Sequence, residues 1–136
     1  MDTGKSALGL DGNVAAALGY PIGIIAIISL IMEKENRFVK FHALQAILIF
    51  AAYIVIWVAV IVISIILAAI GIAASAAGGE AGGAIGSIIG LLWWLVVVVI
   101  LIALLIGLIM AAVKAYQGQM YRLPIIGNLA AKWAGV

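Results

Sequence analysis

Seven polar side chains that could do chemistry share a position at or beside the end of an apolar run. They are Arg37, His42, Gln45, Lys114, Gln117, Tyr121 and Arg122. Ionisable groups at membrane depth are functional candidates because their removal from water is costly. An imidazole beside Arg37 or Arg122 could titrate near neutral pH or bind an anion. The simpler interpretation, which we favour, is that these side chains anchor the chain at an interface and bond to loops and headgroups.

Catalytic groups and metal ligands are scarce in the sequence. It contains no cysteine and one histidine, and Glu33 and Glu35 point in different directions on a helix. No serine lies in a nucleophile motif, and the apolar runs contain no Asp, Glu, Lys or Arg before their ends. We therefore expect a non-enzymatic protein with no metal site and no cofactor.

The composition is that of a membrane protein. Of the 136 residues, 68% are hydrophobic and only 9% are charged. A soluble domain of this size could not hide so much apolar surface, and the apolar runs exceed the roughly 20 residues that span a bilayer. We expect one all-α integral membrane domain with the lipid bilayer as partner. The net charge of +2 is spread thinly beside hydrophobic segments, which favours lipid headgroups over nucleic acid.

The hydrophobic pattern predicts three transmembrane helices and an amphipathic tail. The first helix is expected to kink at Pro21, because proline lacks a backbone donor. In order, the segments are a polar tail (1–12), the first span (13–32), a charged loop (33–42), the second span (43–75), a glycine-rich loop (76–84), the third span (85–117) and the tail (118–136). The second span is longer than one crossing needs, so it must tilt, bend or protrude.

The tail differs from the spans because it is short and amphipathic. Pro124 suits the first turn of a helix. One face of that helix would carry Ile125, Ile126, Leu129, Ala130 and Trp133. We expect an interfacial helix that lies on the membrane surface or folds back under the bundle.

The positively charged residues predict an orientation. With three crossings, the 33–42 loop shares one side with the end of the third span and the tail, and together they hold six of the seven Lys and Arg residues. Because Lys and Arg are enriched in cytoplasmic loops, this side is predicted to be cytoplasmic. The N-terminus and the glycine-rich loop would then lie outside the cell membrane.

Small residues at four-residue intervals form candidate packing faces, since they let helix backbones approach closely in lipid. They are Gly86, Gly90, Ala103, Gly107 and Ala111. The pattern leaves open whether this packing occurs within one chain or between chains of a homo-oligomer or a larger membrane complex.

Three blocks resemble a family of small prokaryotic membrane proteins usually described as similar to the twenty-kilodalton subunit of the chloroplast inner-envelope translocon (TIC). The blocks are GLDGNVAAALGY at 9–20, EKENRFVKFHALQ at 33–45 and AYQGQMYRLPIIG at 115–127. The resemblance implies signature positions at Phe38, His42, Gln45, Tyr121, Arg122 and Pro124. It also implies a four-helix core component that acts as a channel or scaffold in protein import.

These observations give three functional hypotheses. The leading one is a self-associating scaffold or translocation-type component of a membrane complex. The second is a small oligomeric channel or transporter, suggested by the break at Pro21 and the polar cluster. The third is an anionic-lipid-binding or membrane-shaping protein that uses Arg37, Lys40, Arg122 and Lys132.

Overall fold

A computed structural model describes residues 3–136 as four helices. They are α1 (Gly12–Leu18), α2 (Gly23–Met32), α3 (Arg37–Tyr116) and α4 (Ile126–Ala134). No β-strand occurs within residues 3–136, where an isolated bridge joins Lys5 and Asp11. The expected all-α class is confirmed for this part of the chain. One helix, α3, is long and apolar enough to cross a membrane.

The long helix α3 reverses direction at Gly79. Its backbone there has φ 57° and ψ −135°, a conformation that glycine adopts readily because it has no Cβ. After the reversal, Trp93 Nε1 donates to Ser64 Oγ at 2.8 Å, and Gly86 lies against the backbone of Gly71. α3 is therefore a hairpin of two antiparallel arms, 37–78 and 80–116.

The glycine-rich segment 76–84 is not the flexible loop that the sequence predicted. Helical structure continues on both sides of the single non-helical residue, Gly79. The arms meet this closely because small residues face each other: a Cβ on Gly82 would collide with the carbonyl of Ala74. Glycine thus permits a tight reversal here, and the third helix begins several residues before the expected residue 85.

The chain forms two units. The first comprises residues up to Ala52 together with Leu105–Val136, and the second is the middle of the hairpin, Tyr53–Leu104. Within the second unit, large apolar side chains point outward along both arms. Among them are Ile54, Ile65, Ile72, Leu91 and Trp94. The most apolar 18-residue window of α3 is only 11% buried, so this helix is not the buried core of a soluble domain.

The first apolar run does not form the single kinked helix expected at 13–32. It forms α1 and α2, of 7 and 10 residues, which pack against each other across a break at Gly19–Ile22. At about 1.5 Å per residue, neither helix approaches the roughly 30 Å of a hydrocarbon core. Pro21 explains the break, because it cannot donate a helical hydrogen bond. The prediction of a single helix over this run is wrong, whereas its crossing of the membrane stays a prediction.

The two ends of this run lie together. The backbone amide of Ala7 donates to Glu33 Oε2 at 2.8 Å, and Asn36 Nδ2 donates to the carbonyl of Thr3 at 2.7 Å. Asn13 Nδ2 also donates to the carbonyl of Tyr116 at 2.9 Å. The N-terminal segment, expected on the side opposite the charged loop, is therefore hydrogen-bonded to it.

The charged loop is also shorter than predicted. Asn36 caps α3 by accepting a hydrogen bond from the Val39 amide at 3.2 Å, so helix begins at Arg37 instead of residue 43. Only residues 33–36 connect α2 to α3. His42 and Gln45 consequently lie on the first turns of a helix, where their spacing places them on one face.

The amphipathic tail forms α4, as predicted, and its small residues pack against the protein. Its buried residues are Gly127, Ala130, Ala131 and Ala134, and the three alanines share a cluster with Phe41 and Leu44 of α3. A Cβ at Gly127 would lie 2.6 Å from Arg122 Cα, so the helix can approach the preceding segment only through glycine. Of the predicted apolar face, Ala130 is buried, whereas Ile125, Leu129 and Trp133 are exposed. The prediction that this helix lies on the membrane surface stays a prediction.

We predict that Gly82→Ala destabilises the hairpin, because the added methyl collides with the Ala74 backbone. The expected loss is about 1–3 kcal/mol in the free energy of unfolding. Gly90→Ala is the matched control: its Cβ would meet nothing within 4 Å. That variant should be neutral or more stable by up to about 1 kcal/mol, since alanine favours helix. Denaturant titration followed by circular dichroism in micelles measures both. Equal stabilities would contradict the close contact of the arms.

Candidate functional site

The first unit contains a buried hydrogen-bond network of three side chains. Tyr20, His42 and Gln45 are each 0% exposed. Tyr20 Oη lies 2.8 Å from His42 Nδ1, and Gln45 Nε2 lies 2.8 Å from the same hydroxyl. Polar groups buried this deeply must be paired, because an unsatisfied one costs the full desolvation penalty. We call this set the Tyr20–His42–Gln45 network.

The network also bonds to the backbone of residues 119–123, which lie outside any helix. His42 Nε2 lies 3.1 Å from the carbonyl of Gln119, and Gln45 Nε2 donates to the carbonyl of Tyr121 at 3.1 Å. The amide of Leu123 donates to Gln45 Oε1 at 3.2 Å. The side chains of His42 and Gln45 thus replace the backbone partners that this irregular segment lacks.

These contacts determine where each proton lies. Leu123 N–H can only donate, so the nearby amide atom of Gln45 is the oxygen, and Nε2 donates to Tyr20 Oη. The hydroxyl proton of Tyr20 is then directed at His42 Nδ1, which accepts. The carbonyl of Gln119 can only accept, so His42 Nε2 carries a proton. The geometry assigns a neutral imidazole with its proton on Nε2.

Aromatic rings enclose the imidazole. The ring centroids of Phe38 and Phe41 lie 4.6 and 4.8 Å from that of His42, and the Tyr20 centroid lies 5.8 Å away. All three contacts are edge-to-face, which favours the quadrupoles of the rings. Because both ring nitrogens are hydrogen-bonded within the chain, His42 offers neither to an anion or a substrate.

Local backbone structure positions the three side chains of the network and the segment that they bind. Tyr20 lies in the break between α1 and α2, where Pro21 interrupts the backbone ladder and leaves space for a large side chain to turn inward. His42 and Gln45 are three residues apart on α3. Residues 119–123 run from Gly118, whose φ of 73° ends the helical geometry after Tyr116, towards α4.

A second polar cluster joins the N-terminal segment to the start of α3. Glu33 is buried, and its two carboxylate oxygens accept from the amides of Ala7 and Asn36. The Asn36 side chain donates to the carbonyls of Thr3 and Lys5 while its oxygen caps α3. This cluster satisfies backbone groups of segments that have no secondary structure. It is a structural connection between the two ends of the first apolar run.

The second unit contains an apolar groove of about 520 Å³ between the two arms. Trp57 and Trp93 line it with small residues that include Gly71, Gly86 and Gly90. Its polar group is Ser64 Oγ, which accepts from Trp93 Nε1 and donates to the carbonyl of Val60 at 2.7 Å. This hydrogen-bond pair sets the register of the arms.

Comparison with known proteins assigns the chain to a family. A family model described as the magnetosome magnetite crystal formation protein family matches residues 7–130. The chain belongs to this family. The matched range contains the whole Tyr20–His42–Gln45 network and its backbone partners at 119–123. No solved structure matches the chain.

Two archaeal relatives of this family member are named as membrane proteins. The UPF0132 membrane protein MJ1443 of Methanocaldococcus jannaschii is 36% identical over 132 residues, which cover 96% of each chain. A UPF0132 membrane protein of Archaeoglobus fulgidus is 52% identical over 48 residues, or 35% of this chain and 47% of that protein. The expectation of a prokaryotic membrane protein family is confirmed.

The structure brings together only part of the predicted polar cluster. His42 and Gln45 are bonded through their side chains, whereas Tyr121 contributes its carbonyl. Arg37 Nη1 lies 3.4 Å from the carbonyl of Gly135, outside the network. The remaining predicted residues, Lys114, Gln117 and Arg122, bond to none of the three network side chains. Sequence reasoning missed Tyr20, although a tyrosine directly before the proline of an apolar run was a usable signal.

The predicted packing residues also separate into different roles. Gly86 packs within the chain, against Gly71, and Gly90 lines the groove. Ala111 is fully buried in the first unit. Ala103 is exposed, and an added Cβ on Gly107 would meet nothing within 4 Å. Ala103 and Gly107 therefore leave space for another chain, as does Gly90 on its side of the groove.

We predict that Gln45→Leu destabilises the first unit, because it leaves the carbonyl of Tyr121 and the amide of Leu123 without their partner. The expected loss is about 2–5 kcal/mol in the free energy of unfolding. Gln117→Leu, the same substitution at an exposed residue, should change it by less than about 0.5 kcal/mol. Thermal unfolding in micelles compares the two. The account of the network fails if both variants match the parent protein.

Proposed function

We propose that this protein is a non-enzymatic structural component of the cell membrane. In this proposal both arms of α3 cross the bilayer, and the first unit, which carries the basic residues, belongs to the cytoplasmic side. The observation that carries the proposal is the division of charge between the units. All seven Lys and Arg residues belong to the first unit, whereas Glu80 is the only charged residue in the second.

The surface of the second unit supports a lipid environment. Both arms expose Ile, Leu and Val side chains along their length, and lipid is the solvent in which such a surface is stable. A helical hairpin also satisfies its own backbone hydrogen bonds, as a membrane requires. Each arm of this unit contributes about 25 residues, or roughly 38 Å, which is enough to cross a core of about 30 Å.

The same charge distribution supports an orientation that differs from the one predicted from sequence. Since the basic residues lie in the first unit, the positive-inside rule places that unit in the cytoplasm. The N-terminal segment is hydrogen-bonded to Glu33 and Asn36 of that unit, so it belongs on the same side. Both described ends of the chain are then cytoplasmic, and the Gly79 reversal faces outward.

The family description supports one form of this role. It refers to formation of magnetite crystals in magnetosomes, and a structural membrane component is one way for a member to take part in that process. The translocation role implied by the resemblance to the chloroplast translocon stays a prediction, because the names of the family and its relatives refer to crystals and membranes. Self-association, for which Gly90, Ala103 and Gly107 are open positions, also stays a prediction.

The two other hypotheses differ in how the structure bears on them. The break at Pro21 and the polar cluster favoured a channel, but Tyr20, His42 and Gln45 bond to one another and to the chain backbone. They are therefore better explained as structural groups. The basic residues proposed for lipid binding remain available, since Lys132 and Arg122 are exposed.

Cysteine accessibility tests the proposed topology, and the cysteine-free parent protein provides the blank. We predict that a membrane-impermeant maleimide added to intact cells labels Glu80→Cys but neither Ala7→Cys nor Lys132→Cys. After lysis, all three should react. Labelling of Ala7→Cys in intact cells would restore the three-crossing topology. A Glu80→Cys variant that reacts only after lysis would show that the hairpin does not emerge outside.

A further inference from the structure

We propose that the outward face of α4 inserts into the interface of an anionic phospholipid bilayer. The face consists of Ile125, Leu129 and Trp133, and we call it the α4 outer face. Arg122 and Lys132 would contact the headgroup phosphates. The inference rests on the proposed function, because it requires that α3 crosses the same bilayer.

In α4 the small residues are buried and large apolar residues are exposed. Its small residues face the protein, whereas Ile125 is 83% exposed, Trp133 55% and Leu129 38%. A surface helix in water buries its largest apolar side chains, since burial stabilises in proportion to apolar area. The outer face is therefore arranged for contact with something apolar outside the chain. Tryptophan is typical of the membrane–water interface, where its ring is apolar and its N–H meets water.

The backbone at Ile125 is strained. Among residues 3–136 it is the only non-glycine residue with a positive φ, at 65°. A β-branched side chain is unfavourable in this conformation because its Cβ crowds the backbone. The strain is not offset by packing within the chain, because the side chain is almost fully exposed. Contact with lipid would provide the missing stabilisation and explains why this side chain faces outward at the start of α4.

Positive charge beside the α4 outer face favours an anionic partner. Residues 81–136 contain no Asp or Glu, whereas Lys114, Arg122 and Lys132 are basic. Arg122 precedes α4, and Lys132 lies by helical spacing at the edge of the outer face, on the side of Leu129 away from Trp133. Anionic headgroups attract Lys and Arg residues. Their long side chains extend towards the headgroups, while the neighbouring apolar side chains enter the hydrocarbon. A symmetric contact between two α4 outer faces would bring the Lys132 residues of two copies together without an acidic neighbour on α4.

Spin-label accessibility tests the inference in nanodiscs. Single cysteines at Ile125, Leu129 and Trp133 report on the outer face, and Asn128→Cys is a control on the same helix. Val98→Cys and Leu105→Cys report on α3. We expect outer-face labels to favour oxygen over a water-soluble nickel complex, at a depth of about 5–10 Å. The Asn128 label should favour the nickel complex. All these positions are exposed, so the labels leave the packed face of α4 intact.

Lipid composition tests the charge argument. Outer-face labels should lie deeper in nanodiscs that contain phosphatidylglycerol than in pure phosphatidylcholine, and Arg122→Gln with Lys132→Gln should abolish this difference. If the α3 labels favour oxygen while the outer-face labels match Asn128, the inference is wrong and the proposed function stands. If the α3 labels also favour the nickel complex, the proposed function itself is wrong. Outer-face labels shielded from both reagents, with spin–spin broadening, would assign this face to a second copy and overturn the inference.

Discussion

The structure of the first unit depends on the requirement that buried backbone polar groups find partners. Two segments of this unit lie outside its helices: the break at Gly19–Ile22 and residues 119–123. One side chain, Gln45, connects them by donating to Tyr20 Oη and to the carbonyl of Tyr121 while accepting from the Leu123 amide. His42 completes the set at Gln119. Because the three side chains are buried, water does not compete for these hydrogen bonds. The network therefore both stabilises the unit and fixes one arrangement of its segments.

This constraint explains why the first apolar run folds back. A broken helix in a bilayer must be satisfied by neighbouring groups, and Tyr20 meets α3 at the break. At the other end of the run, Glu33 and Asn36 bind the N-terminal segment through its amides and carbonyls. Both ends of the run are thereby held by hydrogen bonds within the first unit. Several of its apolar residues, including Ile24 and Ile31, stay exposed on the surface of the unit.

Much of the architecture was predictable from sequence because it follows from local rules. Composition predicted the all-α membrane class and Pro21 predicted the interruption of the first run, whereas Pro124, expected in the first turn of the last helix, lies two residues before it. The length of the first apolar run was misleading, since about 20 residues satisfy a span by composition even when the chain turns within them. The backbone partners of Gln45 lie more than 70 residues away in sequence, and no local pattern identifies them. Hydrophobic periodicity identified the large apolar face of α4 but not the small face that packs on α3, because small residues give no hydrophobic signal of their own.

The central claim is that His42 is a structural imidazole fixed between Tyr20 and Gln119, and nitrogen NMR tests it most directly. The chain has one histidine, so ¹⁵N-histidine labelling gives two ring signals without assignment. The account predicts a neutral ring protonated on Nε2, unchanged from about pH 6 to pH 8, the range in which free histidine titrates. Tyr20→Phe should shift the Nδ1 signal, because it removes the hydroxyl donor. A ring that titrates near neutral pH, or one protonated on Nδ1, would contradict the account.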